Sequence, residues 1–125
     1  MSNDEGRARH PEDLARLFVR HANAGDVEGL VGLYEADAVL ALRGGEVAIG
    51  TDAIRRFYAG LLSTRPAFQP GDQRPALVHG GLALTSTRLK DGTVTAEVAR
   101  RQPDGSWRWI LDQPAIAVEN EASSA

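Results

Sequence analysis

Cysteine is absent from the 125 residues of this sequence. The chain therefore has no disulfide, no thiolate metal site and no cysteine nucleophile. It also lacks an apolar run long enough to cross a bilayer, and its first residues lack the charged start and apolar segment of a signal peptide. These absences predict a cytoplasmic protein with no membrane partner.

A basic surface is missing as well. The formal net charge is -3 and no stripe of lysine and arginine is visible, so we expect no nucleic-acid partner. His10, His21 and His79 are far apart and lack metal-ligand spacing, so we expect no metal site. The glycine pairs at 44–45 and 80–81 do not lead into a helix with a Lys-Ser/Thr sequence, which favours turns over phosphate loops. No cofactor is predicted.

The apolar and charged shares of the chain, 42% and 25%, are those of a soluble globular domain. Polar, patternless ends predict tails at residues 1–10 and 119–125. Because neither a repeat nor a linker interrupts the part between them, residues 11–118 are predicted to form a single domain.

Three segments have the apolar spacing of amphipathic helices. The first begins at Pro11, and the second begins at Asp26, a capping residue, and includes Tyr34 on its apolar stripe. The third has Thr51 as its expected cap. Its stripe consists of Ile54, Phe57, Tyr58, Leu61 and Leu62.

Strand patterns separated by turn residues fill most of the remaining chain. They cover residues 39–42, 46–49, 76–79, 82–89, 93–101 and 106–112. Helices ahead of a run of antiparallel strands predict an α+β fold, with three helices packed on an antiparallel sheet.

The last two strands flank a Pro-Asp-Gly turn and predict a β-hairpin. With residues 102–105 as the loop, Glu97 lies opposite Ile110 and Thr95 opposite Asp112. Because alternate strand residues share a face, Glu97 and Asp112 then lie together on a face that is otherwise apolar or small. A buried carboxylate is costly unless it is paired, so we interpret these two residues as the polar floor of a pocket and as candidate catalytic residues.

Each carboxylate also has an ordinary structural explanation. Glu97 is either a pocket acid with a raised pKa or a surface glutamate paired with Arg88, Arg100 or Arg108. Asp112 is either its partner or a strand-end aspartate bonded to nearby backbone. The sequence leaves both choices open.

Three segments, and the order in which they occur, are typical of a known fold: Ala24–Tyr34, Gly50–Tyr58 and Asp104–Asp112. Together with the order of elements, they resemble the nuclear-transport-factor-two-like (NTF2-like) superfamily, which includes ketosteroid isomerase and SnoaL-like polyketide cyclases. The resemblance implies a cone-shaped fold in which a curved sheet wraps around the helices and encloses an apolar cavity.

The resemblance also implies roles for single positions. The base of ketosteroid isomerase falls on Leu42 and its donor tyrosine on Phe18, and neither side chain transfers a proton. The protonated aspartate of the oxyanion hole falls on Glu97, and the two supporting tyrosines fall on Tyr34 and Tyr58. Steroid isomerisation by that mechanism is therefore not expected.

Two functions follow as expectations. The first is an acid/base enzyme of the isomerase, cyclase or dehydratase type that acts on a small apolar ligand with Glu97 and Asp112. The second is a non-catalytic ligand-binding or dimerisation module of the same fold. The predicted pocket residues are Phe18, Tyr34, Leu42, Phe57, Tyr58 and Ile110.

A homodimer is predicted through the outer face of the sheet. In the register given above, the side opposite Glu97 carries Val94, Val98, Trp107, Trp109 and Leu111. A soluble monomer rarely leaves such an apolar patch in water, and a twofold pair would bury it on both partners. If the faces are reversed, these residues form the core and Glu97 points outward.

Overall fold

The computed structural model describes residues 6–119, and its helices follow the apolar spacing of the sequence. They are α1 (Asp13–Asn23), α2 (Val27–Val31) and α3 (Thr51–Leu62). The Asp26 carboxylate caps α2 by accepting a hydrogen bond from the Gly29 backbone N–H at 2.9 Å. The cap position of α3 is Gly50 and not Thr51. Gly50 has a φ of 87°, a backbone conformation that favours glycine. Within residues 6–119, no helix has the length and apolarity needed to cross a membrane.

The described strands form an eight-stranded mixed sheet. They are β1 (Tyr34–Ala41), β2 (Val47–Ile49), β3 (Asp72–Gln73), β4 (Leu77–His79), β5 (Leu82–Thr85), β6 (Thr87–Arg88), β7 (Thr93–Arg101) and β8 (Trp107–Val118). Their order is β2-β1-β8-β7-β5-β4, with β6 beside β7 and β3 beside β6. The α+β fold is confirmed, with one change: β1 and β8 pair in parallel, so the sheet is not wholly antiparallel.

The helices pack on the inner face of this sheet around a hydrophobic core. The largest fully buried side chains are Leu14, Leu17, Leu30, Leu40 and Ile54. On α3 the buried residues Ile54, Tyr58 and Leu62 recur every four positions, which agrees with the predicted stripe. Each buried aliphatic side chain of this size contributes about 1.5–3 kcal/mol to folding.

Tyr34 lies on a strand and not on the second helix, which corrects the sequence interpretation. The helix α2 ends at Val31, and the Leu33 carbonyl then accepts a hydrogen bond from the Trp109 backbone N–H at 2.8 Å. Tyr34 itself pairs with Trp109 in parallel register. This distant pairing draws the chain into β1 and brings the buried Tyr34 ring next to β8.

The closing hairpin has a longer loop than predicted, and its tryptophans change face as a result. Arg101 pairs with Trp107, so the loop covers residues 102–106. Trp107 and Trp109 therefore point into the core, where they are 7% and 4% exposed. The prediction that both tryptophans lie on the outer face was wrong.

A β-bulge at Ile110 then restores the alternation. Trp109 pairs with Ala99, and Leu111 pairs with Val98, the neighbour of Ala99 on β7. Ile110 therefore has no partner of its own between these two pairs. As a consequence Leu111 lies on the outer face, where it is 50% exposed, and Asp112 lies on the inner face, where it is 8% exposed. Both of these positions agree with the predicted faces.

Aliphatic side chains form a continuous row across the outer face of the sheet. Direct strand pairs place them side by side, one from each strand from β2 to β4. We call Ile49, Val39, Leu111, Val98, Leu84 and Leu77 the aliphatic row. Four of its members, Ile49, Leu111, Leu84 and Leu77, are between 49% and 70% exposed. An apolar outer patch therefore exists, but without the tryptophans.

Residues before the first helix pack against the hairpin. Ala8 is 1% exposed, and its carbonyl accepts a hydrogen bond from the Trp107 backbone N–H at 2.9 Å. The predicted tail of residues 1–10 is therefore wrong for its second half, and residues 1–5 lie outside the described part of the chain. Of the predicted tail at 119–125, only Glu119 is described, and its N–H donates to the Gly92 carbonyl at 2.6 Å.

Candidate functional site

A pocket of 740 Å³ lies between the inner face of the sheet and helices α1 and α3. This volume is within the range of sites that bind drug-sized molecules. Aromatic and aliphatic side chains form most of the interior wall, and the acidic groups of that wall come from β7 and β8. Interior wall residues include Phe18, Phe57, Tyr58, Leu61, Phe68, Thr95, Glu97, Trp109 and Asp112.

The structure brings five of the predicted site residues to this pocket. They are Phe18, Phe57, Tyr58, Glu97 and Asp112. Tyr34 is not on the wall, but its hydroxyl reaches Asp112. Leu42 packs against the core beyond the end of β1, and Ile110 is the bulged residue, so neither lines the pocket and the prediction for both is corrected.

Glu97 and Asp112 are direct partners in the β7–β8 ladder. Side chains of directly opposed residues on one face have Cβ atoms about 5 Å apart. Both residues are 8% exposed, and the Thr85 hydroxyl donates a hydrogen bond to Glu97 Oε1 at 2.7 Å. The pocket floor is therefore a pair of neighbouring buried carboxyl groups, one of which is held by a threonine.

A chain of hydroxyl groups supports Asp112 from the side of the helices. The Tyr34 hydroxyl donates to Asp112 Oδ2 at 2.5 Å, and the Tyr34 and Tyr58 hydroxyl oxygens are 2.6 Å apart. Because the Tyr34 proton is used on Asp112, Tyr58 is the donor in the second bond. Burial raises the pKa of both phenols above the ordinary tyrosine range, so both remain protonated donors.

Burial also raises the pKa of both carboxyl groups. For Asp112 the pKa rises to about 7, because burial disfavours the charge; the Tyr34 hydrogen bond opposes this rise and the Glu97 charge adds to it. Burial raises the pKa of Glu97 against the opposing hydrogen bonds of Thr95 and Thr85. Such a pair titrates jointly, so near neutral pH the floor carries less negative charge than two ionised carboxylates would.

The surroundings of Glu97 and Asp112 support neither a surface ion pair with arginine for Glu97 nor a bond to nearby backbone for Asp112. Arg100 donates to Glu35 at 2.9 Å, Arg88 is 3.9 Å from Glu119, and Arg108 is exposed. Asp112 is bonded to a tyrosine side chain and not to nearby backbone. Across residues 6–119, no three histidine or acidic side chains are grouped as metal ligands would be.

The sequence interpretation missed two residues of the site. Thr85 lies directly opposite Glu97, and a simple hairpin centred on Asp91 would have paired them. Trp109 was placed on the wrong face, so its contribution to the wall was missed. The first residue had a local signal in the sequence, and the second depended on the exact loop length.

An α+β fold in which paired carboxyl groups lie in a pocket between a curved sheet and two of its three helices defines the class of this protein. The family model of the SnoaL-like domain matches residues 15–113, and the chain belongs to this family. The resemblance to the NTF2-like superfamily is thereby confirmed. No curated protein matches the sequence.

Solved structures share this fold at low sequence identity. A ketosteroid isomerase-like protein from Erwinia carotovora atroseptica has a TM-score of 0.64 and 17% identity, over 90% of this chain and 95% of that chain. A candidate dehydratase of the NTF2-like family from Streptomyces avermitilis has a TM-score of 0.63 and 23% identity, over 85% and 94%. A candidate calcium/calmodulin-dependent protein kinase type II association domain from Thiobacillus denitrificans has a TM-score of 0.67 and 14% identity, over 82% and 91%. These likenesses show the fold, and function has to be argued from the site.

Proposed function

We propose that this protein binds a small apolar carbonyl compound and transfers protons at the carbon next to the carbonyl. That step is common to isomerases, cyclases and dehydratases. The observation that carries the proposal is the pair of buried carboxyl groups, Glu97 and Asp112, with raised pKa values at the floor of an aromatic pocket. A carboxyl group with a pKa near neutrality is suited to giving or taking a proton at physiological pH.

The hydrogen bonds give the two carboxyl groups different roles. Tyr34 donates to Asp112 Oδ2, so Oδ1 is the atom left to carry a proton and donate it to a carbonyl oxygen. Thr85 donates to Glu97 Oε1, and carboxylate oxygens keep further lone pairs that accept a proton, so Glu97 serves as the base. Glu97 removes the proton next to the carbonyl, the electron pair moves to the carbonyl oxygen, and that oxygen receives its proton from Asp112. Return of a proton to carbon completes an exchange or an isomerisation.

The alternative function is a non-catalytic ligand-binding module of the same fold. It is favoured by Leu42 and Phe18, which stand where the resemblance to ketosteroid isomerase requires a base and a donor. The enzyme is favoured by the similarity of the fold to a ketosteroid isomerase-like protein and to a candidate dehydratase. A direct measurement of proton transfer separates the two functions.

Exchange of the α-protons of 2-tetralone, an apolar bicyclic ketone, tests the proposal. The protein and the ketone are mixed in D₂O, and loss of the α-proton signals is followed by NMR. We expect the wild-type protein to accelerate exchange over buffer, and Glu97→Gln to lower that acceleration about 10²–10⁴-fold, the usual contribution of a positioned proton-transfer group.

A matched variant controls for the loss of a carboxylate. Glu46 is exposed outside the pocket, so Glu46→Gln makes the same chemical change and should keep the wild-type rate. If 2-tetralone binds to the wild-type protein but exchanges no faster than in buffer, the enzyme is contradicted and the ligand-binding module is supported.

A 3-oxo-Δ5-steroid should not be isomerised at an enzyme-like rate. Leu42 lies away from the pocket wall, and the Phe18 ring on that wall offers no hydroxyl donor. The rise in absorbance of the conjugated product measures the reaction. Robust turnover that Glu97→Ala abolishes would contradict this expectation.

We also propose that two copies of the chain pair through the aliphatic row. Neighbouring strands are about 4.8 Å apart, so a row that crosses six strands is about 24 Å long, and its exposed aliphatic side chains are costly to leave in water. A twofold axis through the row would bury it on both partners. Sedimentation equilibrium should give twice the chain mass of 13.4 kDa, and a mass that stays at 13.4 kDa at high concentration would contradict the dimer.

A further inference from the structure

Basic side chains surround the rim of the pocket. Arg16 and Arg20 lie one helical turn apart on α1, and Lys90 lies on the turn between β6 and β7; all three are exposed and line the pocket. The acidic residues nearby are Asp91, which also lines the pocket, Asp13, whose carboxylate is 3.8 Å from the Arg16 guanidinium, and Glu119, whose carboxylate is 3.9 Å from the Arg88 guanidinium. Among the exposed lining residues, cations therefore outnumber anions.

The turn that carries Lys90 is fixed by hydrogen bonds from both ends. The Leu89 N–H donates to the Thr93 carbonyl at 2.7 Å, and the Glu119 N–H donates to the Gly92 carbonyl at 2.6 Å. Within the turn, Asp91 Oδ1 accepts a hydrogen bond from the Thr93 N–H at 2.9 Å, so that carboxylate is already engaged. Lys90 is the exposed cation of this turn, and the neighbouring Asp91 carboxylate is held by the backbone of the same turn.

The charges of the pocket are separated by depth. The Arg16 side chain is 60% exposed, whereas Glu97 and Asp112 are each 8% exposed. The floor carboxyl groups are buried, whereas the rim cations are exposed, so an approaching ligand meets the cations first. An anionic group is attracted to this rim, and a cationic group is repelled by it.

We propose that the ligand is an amphipathic keto acid, with a ring-shaped apolar body in the pocket and a carboxylate held at the rim by Arg16 and Lys90. The inference deepens the proposed function and rests on the ligand occupying the same pocket. The body contacts Phe18, Phe57 and Phe68 on the wall, and the carbonyl end faces the carboxyl pair.

Three naphthalene probes that differ in charge test the inference. They are 2-naphthylacetate, its uncharged amide, and 2-(2-naphthyl)ethylamine. Isothermal titration at low ionic strength should show the carboxylate binding about tenfold more tightly than the amide, which is the gain expected from two partly exposed ion pairs, and the amine binding most weakly. The preference should shrink in high salt, because screening acts on exposed charges.

A pair of double variants locates the effect. Arg16→Gln/Lys90→Gln should abolish the preference for the carboxylate over the amide. Arg43→Gln/Arg56→Gln removes the same charge from exposed residues away from the pocket lining, and should leave the preference unchanged. This control separates an effect at the rim from an effect of total charge.

Any of three results would overturn the inference: equal affinities for carboxylate and amide, tightest binding of the amine, or no binding of the carboxylate at millimolar concentration. The proton-exchange test uses an uncharged ketone and does not depend on the rim. The inference can therefore fail while exchange is observed, and exchange can fail while the carboxylate preference is still measured.

Discussion

Asp112→Asn is expected to stabilise the protein at neutral pH and to do so less at acidic pH. The free energy of unfolding of the variant, relative to wild type, should rise by about 3 kcal/mol between about pH 4.5 and pH 7.5. Urea unfolding at the two pH values, with the wild type alongside, measures this difference.

The sign follows from the direction of the pKa shift. Asp112 has a pKa of about 7 in the folded chain, against an ordinary value of 3.8. Between these values the folded state holds a proton that the unfolded chain releases, so raising the pH favours unfolding. The wild type therefore loses this stability as the pH rises towards 7, and nothing more is lost above it. Asparagine does not titrate, and its carbonyl oxygen still accepts the Tyr34 hydrogen bond.

An exposed aspartate on the neighbouring strand provides the control. Asp37 is exposed on β1, so Asp37→Asn should shift stability by less than about 0.5 kcal/mol at either pH. If Asp112→Asn instead destabilises the protein equally at both pH values, the carboxyl group is ionised in the folded state and the proposed acid is excluded.

Trp109→Asp should unfold the protein, whereas Leu111→Asp, two positions along the same strand, should leave it folded and split the proposed dimer. Trp109 is 4% exposed and packs against the rings of Tyr34 and Phe18, with centroids 5.1 and 6.2 Å away. Removing a buried tryptophan costs about 3–5 kcal/mol, and burying an unpaired charge costs more, against a total stability of about 5–15 kcal/mol. Leu111 is 50% exposed at the middle of the aliphatic row.

Circular dichroism and sedimentation equilibrium together distinguish the two outcomes. Ile116 is 60% exposed on β8 but lies beyond the row, so Ile116→Asp should change neither the fold nor the mass. A folded Trp109→Asp variant would show that the tryptophan faces outward after all. A Leu111→Asp variant that remains dimeric would show that the aliphatic row is not the dimer interface.

The helices were predictable because their signals are local. The Asp26 cap and the four-residue recurrence of Ile54 and Tyr58 depend on neighbours in the sequence, and the structure agrees with both. Tyr34 was misplaced for the opposite reason, since its conformation depends on parallel pairing with Trp109, a residue far along the chain. Apolar spacing alone does not distinguish a last helical turn from the start of a buried strand.

The floor of the site was predicted by a register that is wrong in detail. The longer loop shifted the register by one residue and moved the tryptophans to the inner face, and the bulge at Ile110 added a second shift of one residue in the same direction. Because side chains alternate with a period of two, a total shift of two residues restores the predicted faces but changes the partners. Glu97 and Asp112 therefore share a face as expected, although they are direct partners and not diagonal neighbours. Neither loop length nor bulges have a reliable local signal in a short hairpin.

The bulge at Ile110 has a consequence for comparing this chain with its relatives. If Ile110 is deleted, Leu111 directly follows Trp109, and regular alternation still gives Trp109 inward, Leu111 outward and Asp112 inward. A relative that lacks this residue would keep the same pocket floor and the same outer row, on a less bent strand. Alignments of SnoaL-like chains should therefore allow a one-residue gap at this position. A gap placed elsewhere in β8 would equate pocket residues with residues of the outer face.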